Sequence, residues 1–356
     1  MNTVTKFLGR YPLFVSSAII LCFGASVWAV TYHFETTIRP LQEQMRLSHI
    51  ADEIAQADSL LKRKRYETAM KEYRFVLDAY DAELSEQDKG HLNDALGLSY
   101  LALSDTKDQV ENLNLAIKSF KSSLTYRPSD AQPTLYAATW KHMGQTYVSL
   151  AIRNGSEENF TDAINSYKKA VSIQTVESDP ESYAMATALL GGAYRELYSH
   201  STDGQHIRTA FQYYEEALGV LKPKKHPEAF GLVLAEMGRT YSAQAVYSRR
   251  TTNSEKAIKV FDKALKVLDR DHFPSHYAQI HKYIGDSYTL LIKTKPRNRW
   301  DAAEHAQRVN QYQSKANTAY KIAQNFGFEG ARMDRKTTGA SKESSRKTNN
   351  SEDVKK

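Results

Sequence analysis

The stretch Trp140-Lys141-His142-Met143-Gly144-Gln145-Thr146-Tyr147, followed by Ala163, Tyr167 and Ala170, decides the reading of this 356-residue chain, because it recurs. Gly97, Gly144, Gly191, Gly238 and Gly285 follow one another by 47 residues, and each is followed three residues later by a tyrosine: Tyr100, Tyr147, Tyr194, Tyr241 and Tyr288. Further columns keep the same register. They are alanine (Ala116, Ala163, Ala210, Ala257), an aromatic four residues on (Phe120, Tyr167, Tyr214, Phe261) and then a small residue (Ser123, Ala170, Ala217, Ala264). Pro133, Pro180, Pro227 and Pro274 open each unit, with Tyr136, Tyr183, Phe230 and Tyr277 three residues later.

Each column has a mechanical reason. Proline at a first helical position loses no hydrogen bond and presets φ, so it predicts the start of a first helix, which Asp179 also caps in one unit. Glycine inside a helix costs about 1 kcal/mol relative to alanine, so its recurrence at one position predicts that another helix approaches closely there. The alanine, aromatic and small columns at i, i+4 and i+7 form the apolar stripe of a second helix. The chain reads as all-α, built from helical hairpins that stack.

The Trp140–Tyr147 stretch with Ala163, Tyr167 and Ala170 resembles the tetratricopeptide repeat (TPR), with Met143 in the family's leucine place. Leu96, Leu190, Met237 and Ile284 keep that place apolar, while Asn93, Thr187, Leu234 and His281 stand where only Trp140 supplies tryptophan. The family period is about 34, and HEAT or armadillo units run about 40 to 47, so the residue columns rather than the period point to the TPR. An earlier unit, Ala57, Leu60, Tyr66, Ala69, Tyr73 and Val76, has the shorter spacing that the family pattern expects. Its Leu60-to-Ala69 interval is seven residues shorter than the 147-to-163 interval, which predicts about one extra turn on each helix of the later hairpins. A last unit reaches Ala316, Tyr320 and Ala323 only after a longer insertion containing Pro296, as a capping repeat does. The resemblance implies a right-handed TPR-like α-solenoid of about six hairpins over residues 51–327.

From Tyr11 to Tyr32 no residue is charged, and Leu13 to Val30 is apolar apart from three serines. That length suits a transmembrane helix at about residues 12–31, flanked by Tyr11, Trp28, Tyr32 and Phe34. A cleaved signal peptide ending at Val27-Trp28-Ala29 is the competing reading, but its apolar region usually runs about 7 to 15 residues. Lys6 and Arg10 ahead of the run favour a cytoplasmic N-terminus. The expectation is a single-pass membrane protein whose repeat domain lies on the extracytoplasmic side. The chain then divides into an N-terminal segment (1–32), a juxtamembrane linker (33–50), the repeats (51–327) and a disordered basic tail (328–356).

The net charge of +7 belongs largely to the ends. Eight Lys/Arg face four acids between Gly330 and Lys356, and Lys6 and Arg10 precede the apolar run, so the repeats are nearly neutral and no nucleic acid is expected as partner. The single cysteine, Cys22, excludes a disulfide framework. Ten of the 22 tyrosines fall in the repeat columns and read as packing. His272, His276 and His281 lack a metal-binding helical pair and read as solvated turn residues; no metal or cofactor is expected. Lys62-Arg63-Lys64-Arg65 reads as a charged hairpin tip, and Asn154-Gly155-Ser156 and Asn159-Phe160-Thr161 as sequons only in a lumenal setting.

No phosphate loop, nucleophile elbow or paired metal motif is present, so no enzymatic activity is expected. In the TPR family, residues near the glycine column face the concave groove formed by the first helices. That resemblance nominates Lys141, Gln145, Arg195, Arg239, Lys282 and Asp286 as partner-binding residues for acidic or extended protein segments. Gln145 follows Lys141 where the family's carboxylate clamp has asparagine one turn after its lysine, which argues against a chaperone-tail receptor. The expected role is a membrane-anchored TPR scaffold or adaptor; the alternatives are a cytosol-facing import or sorting receptor and an accessory subunit of a membrane enzyme or export complex.

Overall fold

The computed structural model describes residues 26–296, 298 and 301–328. Among the described residues there are twelve long α-helices and no strand. In chain order they are α1 (Arg39–Lys62), α2 (Tyr66–Ala79), α3 (Glu86–Leu103), α4 (Gln109–Tyr126), α5 (Pro133–Asn154), α6 (Glu157–Ile173), α7 (Pro180–Ser201), α8 (Gly204–Val220), α9 (Pro227–Tyr247), α10 (Arg250–Leu265), α11 (Pro274–Ile292) and α12 (Ala302–Asn325). Consecutive helices pair as six antiparallel hairpins, each with a first helix (odd number) and a second (even number). A second helix packs on the first helix of its own hairpin and on that of the next, whereas second helices make no comparable contact with each other. Neighbouring first helices do touch, so they lie on the tighter, inner side of the stack.

Local signals place the boundaries. Prolines open α5, α7, α9 and α11, and the Asp179 side chain accepts from the Ser182 N–H as the N-cap of α7. Ser85, Ser156 and Asp203 cap α3, α6 and α8 in the same way. Gly155 ends α5 at φ 68°, a left-handed conformation that costs glycine nothing. A feature unread in the sequence closes two other turns: Asn112 and Asn253 each donate from Nδ2 to the carbonyl five residues earlier, of Lys107 and Ser248. The run 62–65 forms the tip between α1 and α2.

The glycine column and the aromatic column are two halves of one contact. A Cβ built on Gly97 would lie 2.5 Å from the Phe120 ring; on Gly144, 2.8 Å from Tyr167; on Gly191, 2.8 Å from Tyr214; on Gly238, 2.5 Å from Phe261; and on Gly285, 2.5 Å from Tyr320. Each second-helix ring therefore rests directly on first-helix backbone. In the first hairpin Ala57 and Tyr73 share one buried cluster at the corresponding places.

The extra residues of the later units also sit as predicted. Helix α1 runs five residues beyond Ala57, and α2 starts three before Ala69. Helix α5 runs ten beyond Gly144, and α6 starts six before Ala163. Both helices lengthen by about a turn and the connection shortens by one residue.

The expected membrane placement is not upheld. Among the described residues no helix is long and apolar enough to cross a membrane. Of the proposed span at about 12–31, positions 12–25 lie outside the described residues. Positions 26–33 are helical and exposed and continue through the π-helical Phe34–Ile38 into α1. That continuous helix soon carries Glu35, Arg39, Glu43 and Arg46, with Arg39 paired to Glu35 at 2.6 Å, so it offers no uninterrupted apolar stretch. The assignment as a single-pass protein with an extracytoplasmic repeat domain is corrected accordingly. Cys22 and positions 329–356 of the expected disordered tail also lie outside the described residues, while Phe328 packs beside Tyr320.

The ring-on-backbone contact yields a stability prediction. Gly238→Ala gains helix propensity but forces its Cβ into Phe261, and we expect a net loss of about 2 kcal/mol in urea unfolding. Gly219→Ala, near the end of α8 with nothing within 4 Å, should be neutral or slightly stabilising. A Gly238→Ala protein as stable as wild type would disprove the seating.

Candidate partner-binding face

The inner faces of α5, α7 and α9 enclose a slot of about 360 Å³. Its walls are largely apolar, with Val148, Met185 and Leu232 among them. The residue following each column glycine faces this side: Gln145 on α5, Gly192 on α7 and Arg239 on α9 all line the slot. Gly192 contributes no side chain to it; a Cβ there would lie 4.0 Å from Arg195, Glu236 and Tyr214.

One end of the slot is closed by four charged groups. Arg195 is buried, with its side chain only 7% exposed, and its guanidinium donates to Glu236 and, at 2.7 Å, to Glu196. Arg239 donates to the other Glu236 oxygen at 2.8 Å and lies 3.9 Å from Glu196. Burial by itself would raise the Glu236 carboxyl, but Arg195 and then Arg239 outweigh it, and its pKa falls to about 2. Burial would likewise lower Arg195, yet Glu236 and its neighbours hold it well above its ordinary value. Beneath the quartet, desolvation pushes the Tyr214 hydroxyl up to about 12; it accepts a hydrogen bond from Thr240 at 3.2 Å.

Of the six nominated residues, the structure brings Gln145, Arg195 and Arg239 around one slot. Lys282 and Asp286 lie one hairpin further on and pair with each other at 2.8 Å, Asp286 also accepting from the Tyr320 hydroxyl at 2.9 Å. The Tyr283 ring joins the two groups, with Arg239 5.3 Å and Lys282 5.6 Å from its centre. Lys141 stands apart: burial lowers its ammonium pKa, which nearby Asp179 partly restores. The basic lean read from the sequence is largely cancelled, because Glu196 and Glu236, both missed there, neutralise the two arginines. Their signal was opposite charge at facing positions of adjacent first helices, which becomes visible only once the hairpins are stacked.

His272 pairs with Asp269 and His276 with Glu228, whereas both ring nitrogens of His281 are buried without a partner. The three histidines thus have separate surroundings. Among the described residues no group of three or more His, Cys, Asp or Glu is arranged to hold a metal.

No protein-family model and no curated protein matches the chain. Among solved structures, the apo form of RapI is 14% identical with a TM-score of 0.47, over 78% of this chain and 99% of that one. BtubC (BKLC) from P. vanneervenii is 16% identical with a TM-score of 0.46, over 80% and 95%. The C-terminal part of a TPR repeat-containing protein from Cytophaga hutchinsonii is 13% identical with a TM-score of 0.28, over 80% and 98%. These likenesses are distant, and the hairpin architecture rests on the helices described above.

The quartet makes stability depend on pH. The folded Glu236 pKa lies below its ordinary value of 4.5, so its contribution is present above that value and is lost as pH falls towards 2. Glu236→Gln should unfold at lower urea than wild type at pH 7, and the gap should shrink between pH 5 and pH 2. A gap that stays constant across that range would show that Glu236 is not held by the arginines.

Proposed function

We propose that this protein is a scaffold or adaptor that binds protein partners on the inner face of its helical stack, with no chemistry of its own, and that residues 51–327 act as one interaction unit. The observation that carries this reading is the slot between α5, α7 and α9, apolar along its walls and given no side chain by Gly192. Three successive first helices contribute to it, which suits an extended segment lying across them. Arg195, Arg239, Glu196 and Glu236 satisfy one another, so the partner need not be strongly acidic. An extended segment with an apolar side chain in the slot and polar groups near Gln145 and Arg239 fits the lining best. Lys141, Lys282 and Asp286 then flank the path of that segment.

Filling the slot tests the proposal. Gly192→Leu places a side chain in the slot, its Cβ at ordinary contact distance, 4.0 Å, from Arg195, Glu236 and Tyr214, and improves helix propensity, so the fold should be retained. Affinity capture with the full chain is expected to recover partner proteins with wild type and roughly tenfold less with Gly192→Leu, at an unchanged melting temperature. Equal recovery from both would count against the inner slot.

A further inference from the structure

The tyrosine column meets different neighbours along the stack. In α7, α9 and α11 the tyrosine three residues after the glycine is covered by another ring. Tyr194 stacks on Tyr213 at 5.7 Å, Tyr241 lies 4.5 Å from Phe211, and Tyr288 stacks on Tyr312 at 6.1 Å. Lys256 and Lys315 further cover Tyr241 and Tyr288. Tyr147 of α5 rests against the Leu113 and Ile117 cluster, and among the described residues no ring pairs with it; the position in register with Tyr213 is Ser166 there, as it is Ser119 one hairpin earlier and Val260 one hairpin beyond Tyr213. Beside Tyr147 lies an outward-facing groove of about 640 Å³ between α4 and α6, floored by Trp140 and Tyr147, with buried Ser166 at its base. The volume is ample for a large side chain.

The groove's rim is basic. Lys121 of α4 and Lys168 and Lys169 of α6 line it, all three exposed, against the single acid Asp162. Lys118, one turn before Lys121, extends the positive surface into the adjoining cavity on α4. The arginines of the inner slot are satisfied by their own glutamates; these lysines form no ion pair among the described residues. The indole Nε1 of Trp140 is buried in the floor without an acceptor.

We propose that this outer groove binds an acidic linear segment of a partner protein, anchored by one aromatic side chain that lies against Tyr147 as Tyr213 lies against Tyr194. The apolar floor takes the ring, and the lysines meet acidic residues on either side of it. The site is separate from the inner slot, on the opposite face of α5.

The test is fluorescence anisotropy of the full chain with a fluorescein-labelled peptide, Asp-Glu-Asp-Phe-Glu-Asp-Glu. Wild type should bind it saturably, more weakly as salt rises. Replacing the peptide's phenylalanine by alanine should weaken binding roughly tenfold. Asn165→Trp, which crowds the groove from an exposed lining position, should do the same, and Lys121→Glu with Lys168→Glu should reduce it at least as much. The lysine variants are exposed and keep the test valid if Asn165→Trp unfolds. Gly192→Leu should leave the affinity unchanged. Absence of saturable binding to wild type, indifference to the groove variants, or loss with Gly192→Leu instead would overturn the proposal. So would displacement by a phenylalanine-free oligonucleotide of equal charge as effective as the peptide itself.

Discussion

The structure depends on aromatic rings resting on glycine backbone. In five hairpins a ring from the second helix occupies the space where a first-helix Cβ would stand, at 2.5 to 2.8 Å from that missing atom. The contact sets the distance and the rotation between the two helices, because a rigid ring packed on bare backbone has little room to slide. Five repetitions then present nearly identical surfaces at every hairpin end, and stacking follows. The glycine's cost in helix propensity is offset by burial of a whole ring.

Identical surfaces would stack in any order, and polar networks distinguish them. Between the second and third hairpins, buried Arg127 donates to Thr139 at 2.7 Å, Thr139 donates to Asp94 at 2.9 Å, and His142 lies 3.3 Å from the same carboxylate. Between the fourth and fifth, the Arg195 quartet plays the corresponding part. The residues in register with Arg127 are Gln174, Leu221 and Leu268, so the network belongs to one interface only. An arginine buried at a foreign interface would lack its carboxylate, at a cost of several kcal/mol. Residue choices outside these networks shape the two faces: Gly192 adds no side chain to the inner slot, and Lys121, Lys168 and Lys169 line the outer groove.

Much of the fold was legible in the sequence. Repeated columns report the ring-on-glycine contact because it is made within one hairpin, between residues 23 apart from Gly97 to Phe120 through Gly238 to Phe261. Proline and cap residues mark helix starts by local geometry, and the seven-residue surplus could be assigned to the two helices by spacing alone. The site was only partly legible. Gln145 and Arg239 follow from the register, but the burial of Arg195 and its pairing with Glu236 join residues 41 positions apart, and no column repeats them. The apolar run near the N-terminus shows the limit of composition, since among the described residues the helix continuing from it is exposed and charged.

The sequence by itself determined the hairpin, its repeat length and its direction of packing, because those depend on contacts between residues a fixed short distance apart. Only the tertiary structure decided which charges are free and which grooves are open. Both depend on what a neighbouring hairpin brings opposite a given residue, and departures from the repeat, such as Gly192 in a column that otherwise carries side chains, acquire meaning only when that neighbour is in position.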